Sequence, residues 1–165
     1  MVHPPWVIAL TRQVIGDIDL DPANCAAAQQ WIQARRFFIK DDNGLRWPWH
    51  GRVFLNPPYG NSCGKSNQAV WSSKLIAEYQ ARRVTEAVLL VNAKLGYDWF
   101  TQLLKYWPIC LAYERISFIN AVTLAADKGP SKQASAFVYF GPNYGRFEAV
   151  FSEVGRVLPA LNQCL

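Results

Sequence analysis

"GRVFLNPPYGNSCGKS", residues 51–66, carries two incompatible signals. Its first half is a short apolar run, 52–55, that predicts a strand and feeds directly into Asn56-Pro57-Pro58-Tyr59, a group suited to holding a planar amine. Its second half, Gly60-Asn61-Ser62-Cys63-Gly64-Lys65-Ser66, looks like a loop that cradles phosphate. Such a loop needs four residues between its glycines, so that successive backbone N–H groups wrap the anion and the lysine reaches across it. Gly60 and Gly64 enclose three, and Pro57 and Pro58 remove donors where the strand should feed the loop. The phosphate reading fails on spacing, and 60–68 becomes a mobile polar loop beside whatever Asn56 holds.

Working outward, the chain alternates strand and helix signals. Val7, Ile8, Leu10, Val14 and Ile15 fall on one side of a helix over 5–15 that Gly16 stops. Acidic and apolar residues alternate over 17–21 as in a strand, Pro22 closes it, and Asn24 is placed to cap an Ala-rich helix over 25–34. A strand over 36–40 and a turn at Asp41-Asp42-Asn43-Gly44 precede the quoted stretch. Beyond it come a helix over 69–83 and an apolar run over 86–91 that suits a strand buried on both faces of a parallel sheet. A helix over 98–106, strands over 109–113, 115–119 and 134–140, a loop over 120–133 and a helix over 146–157 complete the pattern. This is an α/β layered domain.

Composition narrows the function. A chain of 165 residues, 51% hydrophobic and 18% charged, supports one sizeable core. No apolar stretch approaches the roughly 20 residues needed to span a bilayer, and the N-terminus lacks a signal pattern, so a cytosolic protein with no membrane partner is expected. Four scattered cysteines and two histidines, His3 and His50, argue against a metal site or a disulfide framework. A net charge of +5 favours a polyanionic partner. Trp31, Trp47, Trp49 and Trp99 are expected in the core.

Two stretches carry chemistry. Asp19-Leu20-Asp21-Pro22-Ala23-Asn24 is an acidic strand end leading into a helix, and open α/β sheets bind ligands at that edge. Free helix N–H groups there can hold a carboxylate while Asp21 meets an ammonium, together matching an amino-acid tail. In Asn56-Pro57-Pro58-Tyr59, the Asn56 side-chain oxygen and the Pro57 carbonyl can accept both hydrogens of an exocyclic amine. That draws a delocalised nitrogen toward a tetrahedral state with its lone pair aimed at an electrophile. The prolines fix both acceptors, and Tyr59 offers a ring for stacking, worth about 1–3 kcal/mol.

Asp19-Leu20-Asp21-Pro22-Ala23, Asp41-Asp42-Asn43-Gly44-Leu45, the run from Trp49 through Asn56-Pro57-Pro58-Tyr59-Gly60, and Trp71-Ser72-Ser73-Lys74-Leu75 occur in that order. Together they resemble the phage-type DNA N-6-adenine methyltransferases, the Dam-like family of phages and prophages, over about residues 4–157. The resemblance implies one methyltransferase domain over 1–165, with an α/β Rossmann-like fold, a mostly parallel sheet and helices on both faces. Too few residues separate Asp21 from Asn56 for two complete β-α units, so the sheet edge is expected to be abbreviated.

It further implies S-adenosylmethionine as cofactor, its methionine end lined by Asp21, Pro22, Ala23 and Asn24 and its adenine reached by Asp42 and Leu45. Pro5 belongs to an N-terminal proline motif near the cofactor, where His3 stands in place of an expected threonine. Asn56, Pro57, Pro58 and Tyr59 would hold the target adenine, rotated out of the DNA. Lys65, Lys74, Lys128 and Lys132, with Arg82, Arg83 and Arg146, are candidate phosphate contacts, and 60–68 and 120–133 are candidate DNA-contact loops. With no room for a large recognition domain, a short target site or a partner subunit is expected. The same tetrapeptide also suits cytosine, RNA adenine or protein glutamine amines, and an inactive nucleic-acid-binding relative is the other alternative. A bacterial host cytoplasm, with a phage or prophage gene, follows from the resemblance.

Overall fold

The computed structural model describes residues 3–119 and 133–161. Five helices are described: α1 (Pro5–Ile15), α2 (Gln29–Ile32), α3 (Asn67–Gln80), α4 (Asp98–Tyr106) and α5 (Tyr144–Phe151). Seven strands form the central sheet: β1 (Leu20–Asp21), β2 (Arg36–Phe37), β3 (Gly51–Leu55), β6 (Val84–Asn92), β7 (Ile109–Ala112), β8 (Ser135–Phe140) and β9 (Gly155–Leu158). Two more, β4 (Asn61–Ser62) and β5 (Lys65–Ser66), make a separate hairpin.

The sheet order is β2-β1-β3-β6-β8-β7-β9. β2, β1, β3 and β6 are mutually parallel, β8 runs against β6 and β7, and β9 runs against β7. Five strands therefore share one direction and only β8 and β9 oppose it. The apolar β6 has one parallel and one antiparallel neighbour, because its composition reflects burial of both faces and is blind to the direction of either neighbour. On the β1 side the sheet ends in the two-residue β2, the abbreviated edge that the short spacer predicts.

Period-two alternation builds two cores. Phe54, Val88, Leu90, Phe137 and Tyr139 face α1 and α5, where Val7, Ile8, Val14, Phe147 and Phe151 complete one apolar layer. Val53, Leu55, Leu89, Val138 and Phe140 point the other way, onto Trp71 and Leu75 of α3 and Phe100 and Leu103 of α4. Each such fully buried side chain contributes about 1.5–3 kcal/mol through removal from water. Helices thus cover both faces, as expected.

Local deviations have physical causes. Of the acidic alternation over 17–21, only Leu20 and Asp21 join the ladder; Asp19 instead grips Arg52, whose Nε and Nη2 donate to its two oxygens at 2.9 and 3.1 Å. That pairing holds the Asp19 carboxyl below its usual range. Likewise β2 is limited to 36–37 of the expected 36–40. The expected helix over 25–34 reduces to a 3-10 turn, Ala26–Ala28, and the single turn of α2, ended by Gln33 with φ +48°. Its cap position is Cys25, and Asn24 accepts a bond from the Cys25 N–H.

No strand forms over 115–119, where only Ile119 makes an isolated bridge; Ile116 and Phe118 bury into the core. The expected helix over 146–157 stops at Phe151, and the chain returns as β9. Gly155 permits that return, since a Cβ there would collide with the Leu111 backbone and the Cys110 sulfur. Among the tryptophans, Trp49 is fully buried, whereas Trp47 is exposed and stacks on Phe38. Among the described residues, no helix is long and apolar enough to cross a membrane.

Candidate functional site

Adjacent parallel strands β1 and β3 end at the same edge of the sheet, one in Asp21-Pro22-Ala23-Asn24 and the other in Asn56-Pro57-Pro58-Tyr59. Both segments line a single cavity of about 970 Å³. Leu45 joins them from the turns that follow β2, and Lys65 from the hairpin. Of the other residues singled out from sequence, Pro5, Asp42 and Lys74 do not line it. Lys128, Lys132 and the loop 120–133 apart from Gln133 lie outside the described residues.

Those placements have local causes. Pro5 occupies the first turn of α1 on its exposed side, where a missing N–H costs nothing. The Asp42 carboxylate is turned back to accept the Ile39 N–H at 2.9 Å, stabilising its own 3-10 turn, Lys40–Asp42. The Lys74 ammonium donates to the buried Glu78 at 2.9 Å and lies 5.2 Å from the Trp49 ring centre. Arg83 also bonds Glu78. Those two cations neutralise a carboxylate in the wall of α3, the structural role that their charge alone did not disclose.

The Gly60–Gly64 segment is no phosphate cradle. Cys63 and Gly64, with φ of +50° and +75°, form the tight turn of the β4–β5 hairpin. The N–H groups a phosphate would need lie along a hairpin ladder, and α3 begins immediately after it at Asn67.

Asp21 is almost wholly buried and accepts a hydrogen bond from the Ala23 N–H at 3.2 Å. Burial pushes its carboxyl from 3.8 up to about 7. Nearby, the Asn24 side-chain nitrogen is buried with no hydrogen-bond partner among the described residues, and so is Nδ1 of His3. His3 lines the same cavity, edge-on to Phe54 at 4.8 Å, and its burial lowers its pKa to about 4, keeping the ring neutral. A buried carboxyl and two orphaned polar atoms facing one cavity fit a polar ligand with a cationic group.

At the β3 end, Pro57 is buried while Asn56 and Tyr59 are half-buried. The Tyr59 hydroxyl donates to the Asn56 oxygen at 3.4 Å, a long bond that leaves the oxygen's other lone pair available. Desolvation raises the Tyr59 phenol, which stays protonated and so remains a donor. Its ring meets Phe118 edge-on at 5.7 Å, and its carbonyl accepts from the Asn67 side chain at 3.4 Å. Tetrapeptide, hairpin and α3 are thereby tied together.

A family model described as DNA N-6-adenine-methyltransferase (Dam) matches residues 2–156. The chain belongs to this family. It is an adenine-specific DNA methyltransferase, which acts on DNA with a methyl-donor cofactor; the cytosine, RNA and protein alternatives gain no support. No curated protein matches the sequence at a significant level.

Several residues lining the methyltransferase cavity escaped the sequence reading. Ile39, Lys40, Asn43 and Gly44 reach it because successive 3-10 turns, Lys40–Asp42 and Gly44–Arg46, fold the chain over Pro22; Trp71 reaches it from α3. Gly44 is the readable signal among them. A Cβ at Gly44 would overlap the Pro22 carbonyl and lie 3.3 Å from the Trp71 ring, while the Gly44 carbonyl accepts the Trp49 indole N–H at 2.9 Å. Gly44→Ala is therefore expected to push the turn off Pro22, destabilising the fold by about 1–3 kcal/mol and weakening methyl-donor binding. Thermal unfolding and donor titration check this; a variant with unchanged melting temperature and affinity would show that the close approach is dispensable.

Proposed function

We propose that the methyl donor is S-adenosylmethionine and that transfer occurs in line onto the exocyclic amine of an adenine rotated out of DNA into this cavity. The observation that carries the reading is the placement of Asp21 and Asn56 at the ends of adjacent parallel strands, facing one space. About 970 Å³ is at the upper end of the roughly 300–1,000 Å³ of small-molecule sites, room enough for a nucleoside cofactor and an incoming base.

When bound, S-adenosylmethionine supplies an electrophilic methyl on a positively charged sulfur. Asp21 would hold the ammonium of its methionine end, Pro22 and Ala23 would shape the wall there, and the free Asn24 nitrogen and His3 Nδ1 would offer polar contacts. Leu45, with Asn43 and Ile39, would enclose the adenine end, in place of the expected Asp42 with Leu45, since Asp42 does not line the cavity. The Asn56 oxygen and the Pro57 carbonyl accept the two hydrogens of the target amine, so that its lone pair points at the methyl carbon. The amine held by Asn56 and Pro57 would take the methyl group from the sulfonium, leaving a neutral thioether, and would lose its surplus proton to water. Pro58 fixes the backbone between these acceptors and Tyr59, against which the flipped base stacks. Lys65, on the hairpin at the cavity rim, approaches a DNA phosphate, and the 60–68 segment as a whole is proposed as a DNA-contact element.

Residues 1–165 are proposed to act as one methyltransferase domain in the cytoplasm of a bacterial host, encoded by a phage or prophage, as the resemblance suggests. Incubation with methyl-tritiated S-adenosylmethionine and, in parallel, unmethylated duplex DNA, RNA and protein tests the donor and acceptor together. Label in DNA alone is expected; label in RNA or protein, or none in any acceptor, would contradict the proposal.

A further inference from the structure

The segment following β6 has a shape that neither the core nor the cavity explains. In the register of β3 with β6, Leu55 lies beside Leu89, so β6 continues three residues, about 10 Å, beyond the point where β3 gives way to Asn56. The chain then makes a tight turn. Tyr97 N–H donates to the Lys94 carbonyl at 3.2 Å and Gly96, the third residue, has φ +85°, which fits a type II turn. Leu95 stands at its corner.

Both ends of this turn are anchored. The Asn92 N–H donates to the Gln68 side chain at 3.1 Å, at the start of the same helix whose Asn67 holds the Tyr59 carbonyl. The Ala93 N–H donates to the Ala134 carbonyl at 2.8 Å, and Tyr97 precedes α4. On this fixed base, Leu95 is 69% exposed and Tyr97 58% exposed. Tyr113, beyond the end of β7 at the same edge of the sheet, is 69% exposed. Single exposed apolar residues are ordinary, but a leucine at the corner of a tight turn, a position open to polar residues or proline, is apolar surface held out toward water. Lys94, whose ammonium lies 5.9 Å from the Tyr97 ring centre and bonds Gln133 at 3.0 Å, adds positive charge beside it.

We propose that the turn 94–97 is a DNA wedge, Leu95 entering the base stack in the space that the target adenine vacates. The inference rests on the base-flipping reading above. An adenine leaving a duplex exposes an unstacked gap and an orphaned thymine, and an apolar side chain between base steps fills such a gap. Leu95 has that chemistry, and its turn is tied to the tetrapeptide through α3. Tyr97 lies against the neighbouring sugar edge, and Lys94 meets a flanking phosphate.

Leu95→Ala, Leu95→Lys and Leu95→Phe test this on an unmethylated duplex DNA library containing all short sequence contexts. Initial rates of transfer are read with methyl-tritiated S-adenosylmethionine, alongside donor affinity and melting temperature. A wedge requires Leu95→Ala and Leu95→Lys each to lower kcat/KM for DNA tenfold or more, Leu95→Phe to stay within threefold of the parent, and donor affinity to be unchanged in all three. If Leu95→Lys instead equals or exceeds the parent, or if Leu95→Ala is within twofold of it, the turn is ordinary surface and the wedge is refuted. Absence of transfer to DNA by the parent protein would refute the flipping reading itself, a different outcome from an active parent indifferent to Leu95.

Discussion

Asn56→Ala is expected to lower the rate of methyl transfer to DNA by at least about 10²–10³-fold while leaving donor affinity within about threefold of the parent. The magnitude follows from losing a preorganised polar group aimed at the reacting atoms. Alanine removes the oxygen that the Tyr59 hydroxyl approaches at 3.4 Å and that is proposed to accept from the target amine, but touches neither the β1 end nor the Gly44 turn. Pro57, buried beside it, still offers its carbonyl, so one acceptor survives and the amine is no longer held at both hydrogens. Asn56→Asp keeps an acceptor oxygen and should retain more activity than alanine. Single-turnover rates with donor titrations separate these effects, and an Asn56→Ala enzyme with parental rates would remove Asn56 from the chemistry.

Asp21→Asn should move stability and donor binding in opposite directions. In the folded apoprotein the Asp21 carboxyl is pushed from 3.8 to about 7 by burial, so folding favours its protonated form. Its contribution to stability is therefore intact below about pH 4, declines as pH rises toward 7, and stays lost above that. Asparagine cannot ionise and escapes this loss. The variant is expected to unfold at nearly the parental temperature at pH 4 and to be more stable at pH 8, by on the order of 1–3 kcal/mol.

Donor binding reverses the sign. A cationic ammonium needs the carboxylate ionised, so affinity in the parent rises with pH up to about 7 and then levels, whereas the variant shows a flat profile. At pH 8 the variant should bind S-adenosylmethionine about 10–100-fold more weakly, the scale of a charge-assisted hydrogen bond. Calorimetry at pH 5.5 and 8 with thermal melts at pH 4 and 8 resolves both effects. Equal affinities at pH 8 would show that Asp21 meets no cation.

Where local signals were strong, the sequence reading reached the fold. α1 and α4 have the expected boundaries because a proline and a glycine bracket the first and an aspartate opens the second, with apolar residues at helical spacing between. β3 and the tetrapeptide after it were legible because an apolar run ending in two prolines leaves the backbone few alternatives. Residues 25–34 misled because alanine tolerates 3-10 turns as well as α-helix, and the left-handed Gln33 carries no sequence signature. Residues 152–157 misled because the pairing partner of β9 lies more than forty positions away in β7.

For the site, aspartate identity was not enough: Asp19 is committed to Arg52, Asp42 to its own turn, and only Asp21 is left facing the cavity with a single backbone donor. Lys65 and Lys74 show the same limit for cations, one at the cavity rim and the other bound to Glu78. Local composition cannot distinguish these fates, since each depends on which partner the sheet order brings alongside. His3 illustrates the converse, a residue that departs from the family pattern yet is buried against Phe54 in the cavity wall.

Nucleoside mass spectrometry tests the central claim most directly. Unmethylated duplex DNA is incubated with the protein and S-adenosylmethionine bearing a trideuterated methyl, then digested to nucleosides. The cavity built from Asp21 and Asn56 predicts deuterated N6-methyldeoxyadenosine as the product, formed at least about 10²–10³-fold more slowly when Asn56 is alanine. Deuterium in a methylcytosine, or deuterated N6-methyldeoxyadenosine formed equally well by the Asn56→Ala protein, would contradict it.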